Sequence, residues 1–375
     1  RLPLAYPLYL SHTGAVSVGG SQDVTEQNTI ETFDLVNAAQ VPAFHEPSDS
    51  THVTEAVRDK AEFMAIPEVL NGDNESLVGT LGQGVEYIRD EMAPKLIERK
   101  LPIPLGSSIE KRLSNFAASW MLHESVFEAY IIMNVDSAAA REANVGEEDL
   151  LTPREAKQHA MAAEHHLESE VIYLEYSGTF GGDEAVEILD EIAEGVSWSR
   201  VWYGGGLDNR ENAQQILDAG ADAVIVGDSF HDVAEEEADL AGRAVEELDA
   251  GADREDVREW LDAEVDLADT AAARYLSTIV DVPAPEDRAA RYLAAGIAVA
   301  LELETVSATL SDPTADDIRD AVGDGPLPGE RIFADVLDDG DAHALAERLA
   351  VSLLAERFDV ELSDTFAAHH VATEL

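Results

Sequence analysis

The sequence predicts an α/β fold built on parallel strands, followed by an all-helical region. Three observations carry this. Seven short apolar runs recur between residues 15 and 228, most of them closing in Gly, Asn, Asp or Glu and followed by a helical pattern. The runs are continuously apolar rather than alternating, which marks strands buried on both faces. From about Gly251 such runs give way to long stretches of helical spacing. Strand–helix alternation repeated seven times fits a doubly wound sheet, or a (β/α)8 barrel one strand short of eight.

In chain order the strand candidates are "AVSVGG" (15–20), "VPAFHE" (41–46), "FMAIPEVL" (63–70), "EAYIIMN" (128–134), "VIYLEY" (171–176), "VWYGGG" (201–206) and "AVIVGD" (223–228). Beyond them "DREDVREWLDAEVDLADTAAARYLSTI", "PEDRAARYLAAGIAVALELETVSATL" and "DAHALAERLAVSLLAERF" have helical spacing. They are separated by "DVPAPED", "SDPTADD" and "GDGPLPGE", whose Pro, Gly and Asp break helices. The expected division is a barrel domain over 1–250 and a helical domain over 251–375. The latter shows no catalytic constellation, and His369 and His370 read as part of a solvated tail.

Composition bounds the function. Against 24 Lys+Arg stand 77 Asp+Glu, a formal charge of -53, while 45% of residues are hydrophobic. Charge on this scale favours disorder through self-repulsion. The apolar periodicity demands a folded core, so the repulsion must be screened, as molar salt does by shortening the Debye length to about 3 Å. Only Lys60, Lys95, Lys100, Lys111 and Lys157 are lysines. Such a surface resembles that of cytoplasmic proteins from salt-accumulating archaea. It disfavours nucleic acid, whose binding releases counterions to basic side chains. Cysteine is absent, which excludes disulfides and thiolate chemistry. The best apolar stretch, Leu293 to Leu301, is far shorter than the roughly 20 residues of a membrane span.

The chemistry is concentrated at strand ends. In a barrel the loops after the strands build the active site, and phosphate sits after the last two. In "YGGGLDNRENAQQIL" three glycines let the backbone approach an anion, and Asp208 or Asn209 caps the following helix. Gly227 and Asp228 end the next strand, so two amide clusters on adjacent strands are placed to hold one phosphate. Glu175 closes the preceding apolar strand. A carboxylate there must be solvated, hydrogen-bonded or useful; it either pairs with an Arg on the rim or meets a hydroxyl of a phosphorylated polyol. Tyr173 and Ser177 are expected at the same mouth.

"YLEYSGT" followed by "YGGGLDNRENAQQILDAGADAVIVGDSF" resembles the geranylgeranylglyceryl and heptaprenylglyceryl phosphate synthase family. "AVSVGGSQDVTEQNT" and "EAYIIMNVDSAAAR" are similar to that family's second and fifth strand regions, and the likeness covers roughly residues 14–75 and 126–232. The resemblance implies a TIM barrel. The reaction implied joins the 3-hydroxyl of sn-glycerol 1-phosphate to a polyprenyl diphosphate, geranylgeranyl diphosphate in archaea, releasing pyrophosphate with Mg2+. It further implies that Tyr173, Glu175 and Ser177 contact glycerol phosphate, with Glu175 orienting the attacking hydroxyl or acting as its base. Gly204, Gly205, Gly227 and Asp228 would form the phosphate cradle, although the family more often has Asn at the position of Asp228. Ser21 would lie near Mg2+ and the diphosphate.

The chain departs from the family in two places. The family's first strand ends in a Lys-x-Asp-Pro motif whose Asp helps hold Mg2+. This chain has no such motif and opens on "RLPLAY", without Met, where the segment after that strand would begin. An upstream part including the first strand is therefore expected to be missing; in a complete chain a seam beside strands 2 and 8 would lie open. Second, residues 87–124 form a long excursion carrying Arg89, Lys95, Arg99, Lys100, Lys111 and Arg112. It reads as a lid over a prenyl chain or as a surface hairpin with its own ion pairs. His45 is expected on the rim, and His165 and His166 in structural roles. Two rival readings stay open: a non-catalytic phosphate-binding scaffold, and another phosphosugar enzyme on the same barrel. A homo-oligomer, a cytoplasmic location and association with a membrane surface through the helical domain complete the expectations.

Overall fold

The computed structural model describes residues 1–20, 24–47, 50–100, 106–249, 252, 254–323, 340–362 and 370–373. Every expected apolar run overlaps a strand, to within two residues at the starts of β4 and β6 and one at the end of β2: β1 (Val16–Gly20), β2 (Ala43–Pro47), β3 (Ala65–Val69), β4 (Val126–Ile132), β5 (Val171–Tyr176), β6 (Arg200–Gly205) and β7 (Ala223–Ile225). β7 is shorter than its apolar run because Gly227 and Asp228 already open the next helix. All pairings are parallel and sequential, β1 with β2 and then β3 through β7. A parallel bridge between His45 and Met64 links the two groups.

The wall is curved. A flat sheet would separate β2 from β6 by about 19 Å, four strand spacings. Yet the rings of Phe44 on β2 and Trp202 on β6 lie 5.9 Å apart, across the interior. Sequential parallel strands curled with alternating helices outside are the TIM-barrel type of (β/α)8 fold.

The helices in chain order are α1 (Tyr6–Leu10), α2 (Glu26–Asn37), α3 (Glu55–Arg58), α4 (Thr80–Tyr87), α5 (Ala93–Lys100), α6 (Ser107–His123), α7 (Ala138–Ala143) and α8 (Pro153–Ala162). There follow α9 (Gly182–Gly195), α10 (Arg210–Asp218), α11 (Asp228–Glu247), α12 (Arg254–Glu264), α13 (Ala271–Thr278), α14 (Pro285–Thr309), α15 (Ala315–Gly323) and α16 (Gly340–Arg357). Local chemistry sets several starts. Thr25 and Asn28 form a capping box for α2, and Thr152 with Glu155 forms one for α8, where Pro153 takes the first turn.

Outward strand residues Ala129, Ile131, Ile172, Leu174 and Val201 pack against Ala156, Ala160, Ile188, Ile192 and Ile216 of α8, α9 and α10. His45 belongs to this outer side rather than to the rim. It is 2% exposed, its ring meets Phe33 of α2 edge-on, and burial lowers its pKa to about 4. His165 and His166 are exposed on the turn after α8, so they fill no core position.

Beyond residue 254 the chain is helical throughout its described residues, save for short bridging segments. These helices share one apolar core with α1 and α11, centred on the buried α14. α14 is long and apolar enough to cross a membrane by length and composition, but 67% of that window is buried here, as in a core helix. Glu237 of α11, fully buried, accepts the backbone N–H groups of Leu4 and Ala5, and Gly296 of α14 leaves the slot for its carboxylate. Residues 370–372 do not form a solvated tail: Val371 bridges to Leu2 in parallel, and His370 lies 3.2 Å from Glu31. His369 lies outside the described residues.

Candidate active site

The inner face of the wall carries an unusual set of side chains. β4 presents Glu128, Tyr130 and Ile132; register places Val171, Tyr173 and Glu175 of β5 directly beside them. Tyr130 and Tyr173 stack with centroids 4.3 Å apart and planes 7° from parallel. Trp202 of β6 meets Tyr173 at 6.5 Å, nearly edge-on. The apolar strands thus place a tyrosine pair at mid-depth and Glu175 above it at the C-terminal mouth.

Glu175 is 4% exposed, and its Oε1 accepts the Ser177 N–H at 3.1 Å. In register it faces Gly204 of β6, which faces Ile225 of β7. The mouth of β5 is therefore two strand spacings, about 10 Å, from the end of β7. Burial, then the Glu175 carboxylate, hold the Tyr173 phenol well above its usual pKa, so Tyr173 stays a neutral phenol.

The glycines are dictated by contact. A Cβ on Gly204 would collide with the Tyr173 hydroxyl, and one on Gly205 with the Tyr203 hydroxyl. A Cβ on Gly227 would meet nothing within 4 Å, so the space before α11 is open. Asp228 begins that 20-residue helix, whose first N–H groups have no partner within the helix and whose N-cap, Gly227, offers no side chain to them. The Ser229 hydroxyl donates to the Leu207 carbonyl at 3.3 Å and ties the two loops together. Asn209, rather than Asp208, caps α10, accepting from the Asn212 N–H at 2.8 Å.

The structure thus brings Tyr173, Glu175, Gly204, Gly205, Gly227 and the backbone of Asp228 to one end of the wall. Ser177 sits there too, but its side chain is exposed and its backbone does the bonding: the carbonyl accepts from Asn134 at 2.6 Å. Ser21 lies outside the described residues.

Sequence reasoning passed over Glu46 and Tyr130. Glu46, at the end of β2, accepts the Tyr130 hydroxyl with one oxygen and the Ser17 hydroxyl at 2.8 Å with the other. The available signal was that "VPAFHE" ends in a carboxylate just as "VIYLE" does. Deeper in, Glu128 is fully buried with neither oxygen hydrogen-bonded; burial, reinforced by Glu46, raises its pKa to about 9. Among the described residues no three His, Asp or Glu side chains are grouped to hold a metal. The oxygen donors of Glu46 and Ser17, beside the strand leading to Ser21, do suit a hard cation that keeps waters and takes substrate phosphates.

Residues 7–248 match the PcrB family. Geranylgeranylglyceryl phosphate synthase of Halobacterium salinarum is 31% identical over 221 residues, 59% of this chain and 78% of that one. The enzyme of the same name from Haloquadratum walsbyi is 30% identical over 222 residues, 59% and 77% of the two chains. The solved geranylgeranylglyceryl phosphate synthase of Thermoplasma acidophilum, in complex with sn-glycerol-1-phosphate, aligns with 18% identity and a TM-score of 0.43 over 61% of this chain and 81% of that one. With the match spanning more than half of its length, this chain belongs to the PcrB family.

Proposed function

We propose that this chain is a prenyltransferase that joins sn-glycerol 1-phosphate to geranylgeranyl diphosphate. The observation that carries the reading is the register of Glu175 opposite Gly204, one strand from the amide cluster before α11. That layout sets a carboxylate and a phosphate cradle at the two ends of a short phosphorylated polyol. The substrate phosphate would lie on the Gly205 end of β6 and the first turn of α11, while Glu175 accepts the hydrogen of the 3-hydroxyl. The hydroxyl oxygen then bonds to the first prenyl carbon, the bond from that carbon to the diphosphate oxygen breaks, and the proton passes to Glu175. Tyr173 fixes the glycerol from the stacked pair. Mg2+, which the oxygens of Glu46 and Ser17 would hold with the diphosphate, would neutralise the leaving pyrophosphate. The apolar recess lined by Met64, Ile66, Leu81, Val85, Ile88 and Leu122 lies beside Pro47, at the end of β2, and suits the isoprenoid tail.

The test is pyrophosphate release in molar KCl with Mg2+ and both substrates, alongside calorimetric binding of glycerol 1-phosphate. Glu175→Gln is expected to lower kcat by about 10²–10⁴-fold while binding glycerol 1-phosphate within an order of magnitude of the parent. Undiminished turnover in that variant removes Glu175 from the role of base. Binding by the unaltered chain without any pyrophosphate release makes it a phosphate-binding scaffold.

A further inference from the structure

Tyr130 stands between two groups that the proposed reaction uses and that no strand pairing joins. Its ring stacks on Tyr173 of β5, centroids 4.3 Å apart and planes 7° from parallel. Its hydroxyl donates to Oε1 of Glu46, near the end of β2, at 2.5 Å. β3 lies between β2 and β4, two strand spacings or about 10 Å apart along the wall. The bond to Glu46 is therefore made by side chains across the interior. Register sets Val69 of β3 on the other side of Tyr130, within the same apolar cluster. The ring, buried, is thus held between Val69 and Tyr173. Glu46 takes the Ser17 hydroxyl on its second oxygen at 2.8 Å. Two hydroxyl donors fix the orientation of this carboxylate without neutralising it. Burial, then Glu46, hold the Tyr130 phenol well above its usual pKa, so it keeps the proton it donates. A ring that only filled the interior would need no hydroxyl.

We propose that Tyr130 is a positioning residue that couples the two substrate subsites, setting Glu46 on the diphosphate side and Tyr173 on the glycerol 1-phosphate side in one geometry. The inference deepens the proposed reaction and rests on it for the identity of both ligands. A ligand that draws on the Glu46 carboxylate moves its hydrogen-bond donor, and a ring stacked face to face carries its neighbour with it. Glycerol 1-phosphate held by Tyr173 selects the same setting from the other end. Such coupling is reciprocal, each ligand raising the affinity for the other by one common factor. The path consists of one hydrogen bond and one stack. Its chemical use is order. An allylic diphosphate that ionises before its acceptor is in place is lost to water, so a donor subsite completed by the acceptor protects the donor.

The experiment is calorimetric titration of glycerol 1-phosphate into the full chain in molar KCl. It is run with and without Mg2+ and a slowly reacting thiolo analogue of geranylgeranyl diphosphate. In the unaltered chain these additions are expected to tighten glycerol 1-phosphate binding about tenfold, within the usual range of such coupling. Tyr130→Phe keeps the stack and deletes the hydroxyl. It is expected to bind glycerol 1-phosphate alone within about twofold of the unaltered chain and to lose most of the tightening. Glu46→Gln is expected to lose the tightening in the same way. Tyr130→Leu, which also removes the stack, is expected to weaken glycerol 1-phosphate binding with or without the analogue. In turnover, Tyr130→Phe is expected to raise KM for glycerol 1-phosphate more than it lowers kcat. Tightening that survives in Tyr130→Phe overturns the proposal, and so does its absence from the unaltered chain. Tightening without pyrophosphate release from the true donor leaves the coupling standing and refutes the reaction. Pyrophosphate release without tightening refutes the coupling alone, and no binding of glycerol 1-phosphate by the unaltered chain refutes both.

Discussion

Gly204 and Tyr173 are one device in two residues: the phenol occupies the volume that any side chain at 204 would need. Gly204→Ala is therefore expected to push Tyr173 off its stack on Tyr130 and weaken glycerol 1-phosphate binding about tenfold, an overpacking cost on the order of 1–3 kcal/mol. Calorimetric titration checks it, and unchanged affinity would detach the stack from the binding site. Glu128 sits one layer below. Its pKa is raised from 4.5 to about 9, so the folded state holds the proton that the unfolded chain gives up. The stabilisation is complete at low pH and is lost as pH rises from about 4.5 towards 9. Glu128→Gln, which mimics the protonated acid, is expected to raise the thermal midpoint near pH 8 by about 5 °C and to change it little near pH 4. Equal effects at both pH values would mean that Glu128 is already ionised in the fold.

At the scale of elements, the Glu237 clamp joins α1, α11 and α14. Burial raises its pKa to about 8, so near neutrality it is held largely as the acid, its two oxygens accepting the N–H groups of Leu4 and Ala5. Glu237→Ala strands those donors and opens a cavity, and is expected to cost about 2–4 kcal/mol in denaturant unfolding; Glu237→Gln is expected to cost under half as much. Comparable losses in both would show that packing volume, rather than hydrogen bonding, is what Glu237 supplies. The sequence made the strands readable because a strand covered on both faces leaves an unbroken apolar run, as in "VIYLEY". It also exposed Glu175, an acid at the end of such a run. It could not expose Glu46 as a partner of Tyr130, 84 residues away, since only the curvature of the wall brings them together. His45 was misplaced for a related reason: alternation along a short strand gives two faces but does not say which one looks inward. The capture of His370 by Glu31 likewise depends on contacts 339 residues apart, which periodicity does not encode.

For the whole molecule, the dominant quantity is the charge of -53. Among the described residues its ion pairs are mostly exposed, such as Arg89 with Asp90 at 2.6 Å and Arg243 with Glu264 at 2.9 Å, and pairs of this kind contribute little individually. Cohesion must come from the apolar cores, against a repulsion that salt attenuates. Lowering KCl from molar to about 0.1 M lengthens the Debye length from about 3 to about 10 Å. The fold is expected to lose its far-UV circular dichroism over that range and to recover it when salt is restored. A thermal midpoint independent of KCl would show that the acidic surface is tolerated without screening.

The hydrogen bond from Leu4 to Glu237 spans 233 residues, and this has a consequence for the order of assembly. During synthesis α1 emerges before α11 and α14, with Tyr6, Leu8, Tyr9 and Leu10 all destined for burial against partners not yet made. The barrel strands can associate as they appear, since each neighbours the one before it. α1 must wait for α11 and α14, and closing so long a loop delays its docking until late. In the interval its aromatic face is open to solvent and to other nascent chains, which makes this short helix the point where misassembly starts.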